Sequence, residues 1–190
     1  MSGSGSQEHA ERTVRSGERR DIIIAAALDT IIERGVHGTS HRVVADRAGV
    51  PLGSMTYYFS GFTEVLEEAF SLLQQRITAE HRELLAAATS SDAAIAAIVA
   101  LISGDRGPSP AQMRGLAEMY AYANHNVRVA ELSRDWLCVT AETLAAHFSS
   151  DVAAGIDALV EGWNLHRAFV GAPPNAAIVE RAVRGLVGAD

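Results

Sequence analysis

Apolar residues recur every three to four positions along almost the whole chain, and no stretch alternates with the period of two that marks a half-buried strand. The pattern predicts an all-α protein of about nine helices. A first helix is expected over residues 18–34 and is stopped by Gly35. Two short ones follow at about 40–48 and 51–58. A long fourth spans about 62–88, with Val65, Leu66, Ala69, Leu72, Leu73 and Ile77 at helical spacing. The fifth covers about 92–103 and ends in a loop over 104–110 rich in Gly and Pro. A sixth carries Met113, Leu116, Ala117, Tyr120, Ala121 and Asn124 on one face. The seventh, eighth and ninth are expected at about 127–148, 151–170 and 175–187, the last two parted by Gly171-Ala-Pro-Pro.

The two short helices hold the densest information. Thr39 or Ser40 offers a hydroxyl to the free N–H groups of the first, and Val43, Val44 and Ala48 supply its buried side. Gly49 permits a left-handed corner that a β-carbon would resist. Pro51 suits the first turn of the second helix, where its missing N–H is no loss. Val50, Met55 and Phe59 then point inward, leaving Leu52, Ser54, Thr56 and Tyr57 outward. That outward face suits double-stranded DNA. Gly53 removes bulk where a backbone must approach the duplex, and Ser54, Thr56, Tyr57 and Tyr58 offer hydroxyls to phosphates or base edges. Leu52 can touch a thymine methyl, while Arg42 can share a phosphate with the N-terminus of its own helix. Residues 40–59 thus read as a helix-turn-helix whose DNA-facing set is Thr39, Ser40, Arg42, Leu52, Gly53, Ser54, Thr56, Tyr57 and Tyr58.

On these residues the segment 18–70 resembles the N-terminal domain of the TetR (tetracycline-repressor-like) family of bacterial transcription regulators. Gly35, Thr39-Ser40, Val44-Ala45, Ala48-Gly49-Val50, Gly53, Tyr57-Tyr58-Phe59 and Val65-Leu66 follow the family pattern in order. The resemblance implies an arm at 1–17, a DNA-binding domain at 18–62, and a ligand-sensing and dimerisation domain at 63–190. It also implies a sequence-specific regulator, most often a repressor released by a small-molecule effector. Three positions depart from the family. Pro51 replaces a capping serine, Thr56 stands at the usual phosphate-touching tyrosine, and Phe62 takes the place of a phosphate-gripping lysine.

Composition changes the picture in two ways. All sixteen basic residues are arginine, yet the net charge is −7. The acid excess lies in residues 61–190 and residues 1–60 are close to neutral, so DNA binding should rest on placed contacts more than on bulk charge. The arm, with Arg12, Arg15, Arg19 and Arg20 after a Ser/Gly-rich start, is a candidate for the minor groove. Its other reading is a flexible solubilising tail. Cys138 stands alone, which excludes an intrachain disulfide, and no signal peptide or membrane span is evident. A cytoplasmic protein, at the nucleoid when bound to DNA, is the expectation.

The last two helices are apolar on more than one face and call for a partner. A homodimer through Ile156, Leu159, Val160, Trp163, Val179, Val183 and Leu186 would supply it. It would also set two recognition helices about 34–36 Å apart on a palindromic operator. Candidate effector residues are Met113, Leu116, Tyr120, Trp136, Trp163 and His166, with Tyr122, Asn124 and His125 as further polar groups. No catalytic residue is assigned: no nucleophile and base stand at a recognisable spacing. His81, His125, His147, His166 and Cys138 show no metal-ligand spacing, so neither a cofactor nor a metal is expected.

Overall fold

The computed structural model describes the backbone of residues 4–188 and the side chains of residues 17–188. Among the described residues the regular structure is helical: α1 Ser4–Arg34, α2 His41–Ala48, α3 Gly53–Tyr58, α4 Phe62–Ala86, α5 Ser91–Ser103, α6 Pro110–Ala123, α7 Val127–Ala145, α8 Ser150–Val170 and α9 Ala176–Val187. A 3-10 turn, Val36–Gly38, joins α1 to α2. The chain divides into two compact units, 1–72 and 73–190. The boundary falls inside α4, ten residues beyond the end expected from the resemblance, because Val65, Leu66, Ala69 and Phe70 belong to the core of the first unit.

Short polar side chains set most helix starts. Ser40, Ser90, Ser109, Asn126 and Asn175 each accept a hydrogen bond from a backbone N–H of the following first turn. Ser109 and Gln112 satisfy each other's backbone N–H groups in a full capping box, with Pro110 as the first helical residue. Gly171 closes α8 in the left-handed conformation, φ 77°.

Helix α1 differs most from expectation, for it starts at Ser4 rather than near residue 18. No proline interrupts residues 4–17. Glu8 with Arg12 and Glu11 with Arg15 stand at the i, i+4 spacing that favours a helix. The side chains of Arg12 and Arg15 lie outside the described residues.

In the first unit Ile23, Ala27, Leu28 and Ile31 of α1 are buried, as are Val44 and Ala45 of α2 and Met55 of α3. In the second unit one hydrophobic core joins Leu85, Ile95, Ile98, Ile102, Leu144, Val152, Ile156, Val160, Val179 and Val183. Most of it is supplied by α5, α8 and α9.

Candidate functional site

Helix α2 and the turn after it are built as their residues dictate. Ser40 accepts the amide of Val43 at 3.4 Å and opens the helix. Gly49 ends it at φ 65°, ψ 32°, so the chain turns where only a glycine is unstrained. Helix α3 is shorter than predicted and begins at Gly53 instead of Pro51. Pro51 and Leu52 form the turn ahead of it, their carbonyls accepting from Ser54 and Met55. Met55 and Phe59 anchor α3 to the unit's core, Met55 wholly buried. This anchoring turns Leu52, Gly53, Thr56 and Tyr57 to solvent, with Tyr57 73% exposed. Ser54 and Tyr58 are half-buried, and the rings of Tyr57 and Tyr58 meet edge-on at 4.8 Å. The hydroxyl of Thr56 donates to the Gly53 carbonyl at 3.2 Å.

Gly53 is informative because the fold does not require it. Its φ is not positive, and an added β-carbon would meet no atom within 4 Å. The protomer itself would accept a side chain at this position.

One member of the sequence-derived set is displaced. Thr39 is buried and donates its hydroxyl to the Gly35 carbonyl at 2.7 Å, so it ties down the connection after α1 and presents no side chain outward. Ser40 and Arg42 are exposed, and Arg42 has no ion-pair partner among the described residues. Other arginines are committed internally. Arg47 clasps Glu33 through both terminal nitrogens at 2.6 Å, locking α2 to α1. Arg20, proposed from sequence for the arm, bonds Glu68 at 2.8 Å and lies 5.1 Å above the Phe59 ring.

Sequence reasoning missed how α4 begins. Glu64 accepts both the amide and the hydroxyl of Ser60, at 2.7 and 2.8 Å, and these bonds hold its carboxyl below the usual carboxylate range. Phe62, at the position of the family's lysine, packs edge-on against His41 at 5.0 Å. An aromatic contact between the starts of α2 and α4 therefore occupies that position.

In the second unit the effector candidates scatter. Leu116 and Trp136 are buried, and the Trp136 indole donates to Thr78 at 2.9 Å. Trp163 packs against the core, and His166 is exposed. Asn124 and His125 are exposed as well, and Tyr122 is half-buried. Only Met113 of the six lines the cleft between α6 and α8, a space of about 420 Å³ also bounded by Pro108, Pro110, Leu165, Phe169 and Pro173. Tyr120 faces α8 instead, where its hydroxyl donates to Glu161 at 3.0 Å. Beside this pair lies Asp157, nine-tenths buried, whose Oδ1 has no hydrogen-bond partner. Burial pushes Asp157 up to about 6 and Glu161 up to about 7. The sequence carried a signal for this group. Asp157, Glu161 and Asn164 recur at helical spacing within the otherwise apolar stretch 152–165.

Four of the seven dimer candidates need correction too, while Leu159, Trp163 and Leu186 remain partly exposed. Ile156, Val160, Val179 and Val183 are buried in the core of their own unit, and Leu159, Trp163 and Leu186 pack against it. The face α8 leaves outward is a different one: Ala154, Ala158, Gly162, Leu165 and Phe169, at successive helical turns. Phe169 is 80% exposed, and Gly162 and Gly185 border open space. Among the described residues no group of His, Cys, Asp and Glu could hold a metal ion, and no helix is long and apolar enough to cross a membrane.

The family model of bacterial regulatory proteins, tetR family, matches residues 23–69, which take in the helix-turn-helix. The structure of SCO7518 from Streptomyces coelicolor A3(2), a proposed transcriptional regulator, superposes with a TM-score of 0.82. It is 38% identical, the match covering 90% of this chain and 98% of that one. The HTH-type transcriptional regulator PksA of Bacillus subtilis is 28% identical over 160 residues, 78% of either chain. The multidrug-binding protein EbrR, in complex with imidazole, is 26% identical with a TM-score of 0.70, over 89% of this chain and 94% of that one.

Proposed function

Because the chain belongs to the TetR family of bacterial regulatory proteins, a family of DNA-binding transcription regulators, we propose that it is a repressor whose hold on a palindromic operator is loosened by a small-molecule effector. One observation carries the DNA-binding half. Helix α3 turns Leu52, Gly53, Thr56 and Tyr57 to solvent on a firmly anchored base, with Arg42, unpaired among the described residues, on the preceding helix. A rigid, exposed, hydroxyl-rich face beside a free guanidinium is what phosphate and base-edge contacts require. Ser40, Ser54 and Tyr58 complete the contact set.

The operator-binding species is a homodimer formed on the outward face of α8, Ala154 to Phe169, with α9 beside it. Small residues there let two helices approach closely, and the exposed Leu165 and Phe169 gain from being covered. The effector enters between α6 and α8. Supporting this are the cleft at Met113, the polar group at Tyr120, and the similarity to EbrR, a multidrug-binding protein known in complex with a small molecule. Helix α4 contributes residues to both compact units in one unbroken helix, so it is the connection through which an effector shifts the DNA-binding unit. The effector acts only through its differential affinity for the two states of the dimer.

The test is a gel-shift titration of the full chain against the DNA upstream of its own gene, over a salt series. Sequence-dependent retardation that weakens steeply with salt is expected. Retardation of no sequence at low salt would instead make the protein a helical binding module without a DNA target.

A further inference from the structure

Helix α8 carries a polar interruption that neither DNA contact nor dimer formation uses. Asp157, Glu161 and Asn164 stand four and three residues apart in the otherwise apolar stretch 152–165, on one side of the helix. Asp157 and Asn164 are buried and Glu161 is half-buried, where α8 packs on α5, α6, α7 and α9. Among the described residues the two carboxylates receive one hydrogen bond, from the Tyr120 hydroxyl of α6 to Glu161 at 3.0 Å. Oδ1 of Asp157 is buried with no donor. No arginine forms an ion pair with either group among the described residues. The buried residues of α5 and α9 are apolar, and those of α7 are Val129, Ser133, Trp136, Thr140 and Leu144, so none of them is titratable. His81 of α4, buried as well, is pushed down to about 4 by burial and supplies no positive charge near neutral pH.

A carboxylate withdrawn from water without a counter-charge is costly, and a second one a helical turn away adds to that cost. The cleft between α6 and α8 gives no relief. Its walls are other residues of the same two helices, Met113, Arg114 and Ala117 facing Leu165, Arg167 and Phe169. A proton needs no cleft. Burial raises both carboxyls, Asp157 to about 6 and Glu161 to about 7, so the closed arrangement is the protonated one. Once both ionise, like charges stand in a seam whose one bridging donor is Tyr120, and water must enter to solvate them.

We propose that Asp157 and Glu161 form a proton-operated latch between α6 and α8. Protonated, they let the two helices close with Tyr120 as the bridge. Ionised, they open the seam to water and loosen the walls of the neighbouring cleft. The latch goes beyond the effector reading and does not depend on it.

The experiment uses the full chain without DNA or effector, in two measurements at pH 6 and pH 8. Infrared spectroscopy should show a protonated-carboxyl band at pH 6, where ordinary surface carboxylates are already ionised, and lose it at pH 8. Hydrogen exchange read by mass spectrometry, corrected for intrinsic rates, should show protection of α6 and α8 falling about tenfold or more from pH 6 to pH 8. Protection in α1 to α3 should hold. The double variant Asp157→Asn, Glu161→Gln should lack the band and keep α6 and α8 equally protected at both pH values. Glu161→Gln alone, with most of the fall removed, serves if the double variant does not fold. Absence of the band in the wild type, protection that does not change with pH, or the same fall in a folded variant would overturn the latch.

Discussion

At the scale of single residues, the side chains that matter most are those the fold itself leaves unused. Tyr57 is the most exposed aromatic of α3, and Arg42 of α2 has no ion-pair partner among the described residues. Replacing either with alanine should weaken operator binding by roughly 1–3 kcal/mol in a gel-shift titration while leaving thermal unfolding unchanged. Loss of Arg42 should also lower the log–log salt slope by about one. Gly53→Ala separates fold from function more sharply. The site has room for a methyl group and an unstrained backbone, so stability should hold or rise by about 0.5 kcal/mol. Operator affinity should nevertheless fall. Unchanged affinity would mean that α3 does not lie close against DNA. Glu161 makes a prediction in pH. Burial raises it to about 7, so the native state keeps a proton that the unfolded chain has already released. Its stabilising contribution is complete below the unfolded carboxyl value and vanishes as pH rises through about 7. Glu161→Gln, which still accepts from Tyr120, should therefore gain on wild type between pH 5 and pH 8 by on the order of 2 kcal/mol in urea unfolding. His81, pushed down to about 4 by burial, works in the opposite sense, its contribution being lost as pH falls toward 4, but it is common to both proteins and cancels.

At the scale of elements, the helix-turn-helix depends on one backbone conformation and a few clasps. Gly49 sits at φ 65° with open space around it, so an alanine there would strain only the backbone. Gly49→Ala should cost about 1–2 kcal/mol, read as a lowered urea midpoint, and weaken DNA binding by misdirecting α3. The starts of the elements were largely legible, because caps act over three residues and their partners are close in sequence. Ser40, Ser90 and Asn175 needed no tertiary knowledge. The start of α3 was not legible in the same way. Pro51 fits a first helical turn on propensity, yet it is spent in the turn before it. Thr39 was equally ambiguous beside Ser40, and only the carbonyl of Gly35 within reach decided which of the two hydroxyls faces inward.

At the scale of the whole molecule, the outward face of α8 carries the assembly prediction. Ala158 is exposed between Ala154 and Gly162, so a charge there would stand in solvent in the single chain. Ala158→Glu should leave the helical circular dichroism unchanged, convert the dimer to a monomer in light scattering, and abolish high-affinity operator binding. A dimer that survives this change would place the interface elsewhere.

The sequence by itself determined the nine helices found among the described residues, a glycine corner and the exposed side of α3. Those features are written in local signals: the 3.6-residue period, short polar caps, and the one residue type at ease with positive φ. Only the tertiary structure decided which way α8 faces, because a helix apolar on several sides has no single apolar stripe to fix its rotation about its own axis. It alone turned Ile156 and Val160 inward. It alone also brought Tyr120 to Glu161 across 41 residues of chain, since a contact between distant positions exists only once the helices between them have packed.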